Sequence, residues 1–134
     1  MQTIIIDGTN ATLGRLASYA AKQALLGNKI IILNSEKAVI SGRKKSTIRS
    51  YKDKRSRGGS SQRGPFYPRE PEKILKRAIR GMLPDYRRGK GREAFKRITC
   101  YSGVPEEHKD KKMIKAGKEK TSVYMSIKEV SNKM

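Results

Sequence analysis

TIIIDGTNATLGRLASYAAKQALLGNKIIIL, residues 3–33, decides the fold. Thr3 to Ile6 is a short β-branched run closed by Asp7-Gly8, the pattern of a buried first strand. Lys29 to Leu33 does not alternate, so it reads as a second strand buried on both faces. Between them Leu13, Leu16, Ala17, Ala20, Ala21, Ala24 and Leu25 recur at helical spacing and form one apolar stripe. Thr12 is placed to cap that helix, and Gly27-Asn28 to stop it. Strand, helix and strand in so short a span predict a right-handed βαβ unit with two parallel strands.

Outward from this unit the chain changes character. Ala38-Val39-Ile40 is a shorter extended piece, closed by Ser41-Gly42. RKKSTIRSYKDKRSR, residues 43–57, offers Ile48 and Tyr51 as hydrophobic anchors, which suits a very basic helix with a narrow attachment stripe. RGGSSQRG, residues 57–64, has almost nothing to bury and reads as a loop, which Pro65-Phe66-Tyr67-Pro68 pins back onto the body. A second amphipathic helix begins near Pro71, with Ile74, Leu75, Ala78, Ile79 and Met82 as its stripe and Pro84 as its end. Lys73, Lys76, Arg77 and Arg80 lie largely outside that stripe. The glycine-rich basic loop 85–91 leads to a helical turn, Arg92 to Lys96, and a last strand, Ile98 to Tyr101. Residues 105–120 are lysine-rich and aperiodic, an extended tail or loop. Ser126 with Glu129 has capping-box spacing for a final short helix. The 134 residues are expected to form one domain: a βαβ body over 1–42, a basic segment with the second helix over 43–97, and the last strand with its tail over 98–134.

Charge divides along the same boundaries. Of the net +20, residues 1–42 carry +2, residues 43–97 carry +15 from 20 basic and 5 acidic side chains, and residues 98–134 carry +3. Self-repulsion on this scale calls for a polyanionic partner, and its concentration in the middle segment marks a contact surface. A membrane surface is the poorer match, because no apolar run approaches the roughly 20 residues that span a bilayer. No signal peptide is visible, and Cys100 is the sole cysteine, so a reducing, cytoplasmic setting is expected.

Catalytic constellations are missing from the sequence. Gly8 to Arg15 lies where a phosphate-binding loop would, but five residues separate Gly8 from Gly14, and Arg15-Leu16 stands where a Walker motif needs Lys and a hydroxyl residue. Gly14 is therefore read as a site of close helix–sheet packing, or as part of a helix start whose N–H groups touch an RNA phosphate. His108 and Cys100 are single, so a zinc site cannot be assembled; His108 reads as a solvated loop residue and Cys100 as a core or half-buried strand residue. No metal, cofactor or small-molecule substrate is expected. The arginines of the basic segment can grip phosphate with two hydrogen bonds, and Tyr51, Phe66, Tyr67 and Tyr86 can either stack on unpaired bases or pack in the core. No helix-turn-helix, zinc finger or basic zipper is present, so RNA is favoured over DNA.

Two blocks resemble a known family, the thirteenth large-subunit ribosomal protein: residues 6–18 with 20–42, and residues 79–105 around Arg80-Gly81-Met82-Leu83-Pro84. RGPFYPREPEKIL, residues 63–75, is similar to the archaeal–eukaryotic branch. The resemblance implies an α/β fold, a three-layer α/β/α domain around a small, mostly parallel four-stranded sheet with basic extended loops. It also implies binding to large-subunit ribosomal RNA, a role in subunit assembly, and neighbouring large-subunit ribosomal proteins as partners, without obligate homo-oligomers. The expected phosphate contacts are Arg43, Lys44, Lys45, Arg49, Lys52, Lys54, Arg55, Arg57, Arg63 and Arg69, with Arg80, Arg87, Arg88, Lys90 and Arg92 as a second cluster.

Overall fold

Residues 3–33 fold as the expected unit. Strands β1 (Thr3–Asp7) and β2 (Lys29–Leu33) pair in parallel along their whole length, Thr3 opposite Lys29 through Asp7 opposite Leu33, and helix α1 (Leu13–Leu25) joins them. The computed structural model describes residues 2–56, 68–108, 113–115 and 124–133. Strand β4 (Ile98–Cys100) adds beside β2, and β5 (Ile114–Lys115) beside β1. The sheet order is β4-β2-β1-β5 with all three pairings parallel, an α/β fold. A separate antiparallel ladder joins β3 (Val39–Ser41) to β6 (Tyr124–Ser126).

The pleat sorts the isoleucines. Ile4, Ile6, Ile30, Ile32 and Ile98 point to one face, where they meet Leu16, Ala17, Ala20 and Ala24 of α1. The same cluster takes in Ile74, Leu75 and Ile79 of α3 (Pro71–Arg80), Ala94 of α4 (Gly89–Lys96) and Ile127 of α5 (Ile127–Lys133). Burying each such isoleucine contributes roughly 1.5–3 kcal/mol. The alanines of α1 leave little bulk between that helix and the strands. Ile5, Ile31 and Leu33 face the other way and are covered by Tyr101 and Met113, so the third layer is thin. It is the chain that follows β4 and includes a 3-10 turn, Glu106–His108.

Several local expectations are corrected. Gly14 does not serve close packing: a Cβ there would meet nothing within 4 Å. Gly8 does, since a Cβ there would lie 3.1 Å from the Leu33 carbonyl oxygen, and its N–H donates to that oxygen at 2.8 Å. Thr12 has the extended backbone of a cap but makes no side-chain cap bond, and Leu25 emerges from the stripe at 41% exposed. Helix α3 stops at Arg80, short of Pro84, and Gly81 donates to the Arg77 carbonyl. The turn that follows throws Met82 outward and buries Leu83 instead. Helix α4 starts at Gly89, earlier than expected, while β4 ends at Cys100 so that Tyr101 can turn onto the second face.

His108 is not a solvated residue. It is 6% exposed, with its ring 5.8 Å from that of Tyr101. Aperiodic sequence gave no sign that this turn folds back over the sheet. The loop 57–64, residues 65–67 and most of the tail 105–120 lie outside the described residues.

Candidate nucleic-acid interface

The basic segment begins as a helix. Gly42 (φ +118) turns the chain out of β3, and the Arg43 carbonyl accepts both the N–H and the hydroxyl of Thr47, at 3.0 and 3.1 Å. Helix α2 (Lys44–Ser56) attaches through buried Thr47 with half-buried Ile48, Tyr51, Lys54 and Arg55, a broader stripe than Ile48 and Tyr51 alone. Arg43, Lys44, Lys45, Arg49 and Lys52 are exposed. Lys44 lies 3.6 Å from Glu129 of α5, an exposed pair that contributes little to stability. On the outward side Lys45, Ser46, Arg49, Ser50 and Asp53 line a polar groove.

The second cluster is built on Tyr86. Its ring stands edge-on to Phe95, 6.2 Å between centroids, while the Arg80 and Arg87 guanidinium carbons lie 4.5 and 5.3 Å from its centre. Arg87 Nε also donates to the Tyr86 hydroxyl at 3.1 Å. Tyr86 is thus a mount for arginines. Arg88 caps the start of α4 in an extended conformation, and Arg88, Lys90 and Arg92 are exposed beside it. Gly91 fixes this turn onto the body: a Cβ there would collide with the Pro84 carbonyl and stand 2.6 Å from that of Asp85.

Arg80 links the clusters. A cavity of ≈270 Å³ between α2 and α3 is lined by Tyr51 and Lys54 from one helix and by Arg77 and Arg80 from the other. Arg77 and Arg80 also border a second recess with Lys73, Lys76 and Phe95. Lys73, Lys76 and Arg77 therefore join Arg80, the one α3 residue among the expected contacts, on the cationic surface. Their position outside the apolar stripe was the signal. Arg69 is also tied into the fold: its Nε donates to the Ser131 carbonyl at 3.2 Å and its own carbonyl accepts the Ser131 hydroxyl at 2.7 Å, which joins α5 to the start of α3. Arg57 and Arg63 lie outside the described residues.

Burial pushes the Cys100 thiol up to about 12, with Lys76 opposing and Glu72 reinforcing the shift, so it is no nucleophile at neutral pH. Burial would also raise the Asp7 carboxyl, but Asn34 Nδ2 at 3.0 Å, the Thr9 hydroxyl at 2.7 Å and the Thr9 N–H at 3.1 Å, with Lys115 nearby, hold it below its ordinary value. Asp7 is a knot between β1 and the turn after β2. Among the described residues no three His, Cys, Asp or Glu side chains gather as a metal site, and no helix is long and apolar enough to cross a membrane.

Fold and surface together define an α/β scaffold whose helical layer presents a cationic face set with aromatic rings. Its sequence matches ribosomal protein L13 over residues 1–107, and the chain belongs to that family. It is similar to the large ribosomal subunit protein uL13 of Methanosarcina barkeri, 47% identical over 136 aligned positions that cover 97% of this chain and 96% of the relative. The proteins of the same name from Archaeoglobus fulgidus and Methanocaldococcus jannaschii are each 42% identical; they span 95% of this chain, and 84% and 93% of their own length is covered. These archaeal relatives agree with the branch read from residues 63–75.

Proposed function

We propose that this chain is a structural constituent of the large ribosomal subunit, not an enzyme, and that its cationic face binds large-subunit ribosomal RNA and supports assembly. The observation that carries this reading is the continuity of positive charge from α2 across Arg77 and Arg80 to the Tyr86 cluster, on a chain of the ribosomal protein L13 family. Phosphates drawn together as RNA segments pack repel one another, and fixed cations between them lower that repulsion. The contacts proposed are Arg43, Lys44, Lys45, Arg49, Lys52, Lys54, Arg55, Arg57, Arg63, Arg69, Arg80, Arg87, Arg88, Lys90 and Arg92, now joined by Lys73, Lys76 and Arg77. Neighbouring large-subunit proteins complete the setting in the cytoplasmic ribosome, and a net charge of +20 opposes an obligate homo-oligomer.

Sedimentation of a lysate tests the reading. The protein is expected to travel with the large subunit and to stay there through a moderate salt wash. A pool that runs entirely as free monomer would overturn it.

A further inference from the structure

The cavity between α2 and α3 differs from the outward groove of α2. Residues at i, i+3 and i+4 of α3, Ile74, Arg77 and Ala78, line it together with Arg80 and with Tyr51 and Lys54 of α2, three residues apart. Ile74 is 4% exposed, and Ala78 and Tyr51 both pack against the main core, so the floor is apolar. Three cations surround that floor. The outward groove of α2, by contrast, is lined by Lys45, Ser46, Arg49, Ser50 and Asp53 and has neither ring nor aliphatic floor. That groove suits phosphate alone.

An apolar floor with an aromatic wall is wasted on phosphate. At ≈270 Å³ the cavity falls just below the roughly 300 Å³ at which pockets for drug-sized ligands begin, a size for a single planar heterocycle. We infer that it receives one unpaired nucleotide of the ribosomal RNA, its base stacked near Tyr51 over Ile74 and Ala78 and its flanking phosphates held by Lys54, Arg77 and Arg80. This rests on the RNA-binding reading above and deepens it: the cationic face then recognises an extruded base at one point, besides the backbone along its length. Unpaired bases are what proteins usually read in structured RNA, because the deep groove of an RNA helix excludes side chains.

The test uses the full chain bound to a fragment of large-subunit ribosomal RNA. Ultraviolet cross-linking followed by mass spectrometry is expected to give a nucleotide adduct on Tyr51 or on the peptide spanning residues 74–77. Filling the cavity by Ala78→Leu is expected to weaken binding roughly tenfold, the scale of one lost stacked base, with the dependence on salt unchanged. Tyr51→Phe should keep the affinity and Tyr51→Leu should lower it on the same scale as Ala78→Leu, and circular dichroism checks that each variant folds. Wild-type affinity in a folded Ala78→Leu protein, without an adduct in the cavity, would overturn the inference while leaving phosphate binding intact. If the wild-type chain did not bind the RNA at all, the functional reading itself would fall first.

Discussion

At the scale of single residues, glycine positions separate what sequence shows from what packing decides. Gly14 drew attention by its place between strand and helix, yet a Cβ there would meet open space. Gly14→Ala is expected to stabilise the fold by about 0.5 kcal/mol, because alanine loses less conformational freedom in a helix. Gly91 looks like one of several glycines in a basic loop, yet it has no room for a methyl group beside the Pro84 carbonyl. Gly91→Ala should cost at least about 1–3 kcal/mol by overpacking, and the two variants compared by thermal denaturation should shift in opposite directions. Asp7 supplies a pH-dependent counterpart. Its carboxyl is held below the ordinary value, so its stabilisation is complete above the unfolded value near 3.8 and is lost as pH falls through the folded one. Asp7→Asn keeps an acceptor oxygen but removes the charge. Urea titrations should therefore show the variant less stable than wild type at pH 7, with the gap narrowing as the pH falls below 3.8; a gap that does not change with pH would mean the charge is irrelevant.

At the scale of elements, periodicity located the longer helices and strands, while short pieces depended on partners distant in sequence. Helix α5 has seven residues and cannot persist alone. It is held at its start by Ser126, whose hydroxyl accepts the Glu129 N–H at 3.2 Å, and along its length by the Arg69–Ser131 bonds. The spacing of Ser126 and Glu129 was legible as a capping box; the tie to Arg69 was not, because 62 residues separate the partners. Ser126→Ala should cost about 1 kcal/mol and raise hydrogen exchange most in the amides of α5, with β1 and β2 unaffected. Strand β5 is two residues long, too short a run to carry a period in the sequence.

At the scale of the whole molecule, the βαβ body is followed by a segment that gathers three quarters of the excess charge into 55 residues. If roughly 6–10 of the cations contact phosphates, affinity for ribosomal RNA fragments should fall about 10³–10⁵-fold between roughly 50 and 200 mM salt. A flat salt profile would contradict the proposed function. Arg87 and Arg88 are exposed, so Arg87→Glu with Arg88→Glu should flatten that profile by about two phosphate contacts and barely move the melting temperature. Loss of binding by unfolding would instead assign these arginines to the fold, through the Tyr86 ring that Arg87 touches.

The sequence by itself determined the parallel β1–α1–β2 unit, the helix from Pro71 and the basic character of the middle segment. Each is written in local spacing or in counts of charge, which need no knowledge of what lies across the fold. Only the tertiary structure decided that His108 is buried, that Gly91 rather than Gly14 has no room for a side chain, and that Lys54, Arg77 and Arg80 share one cavity with Tyr51. These depend on how closely segments far apart in the chain approach one another. That distance is set by the packing of both faces of the sheet, and no single stretch of sequence contains it.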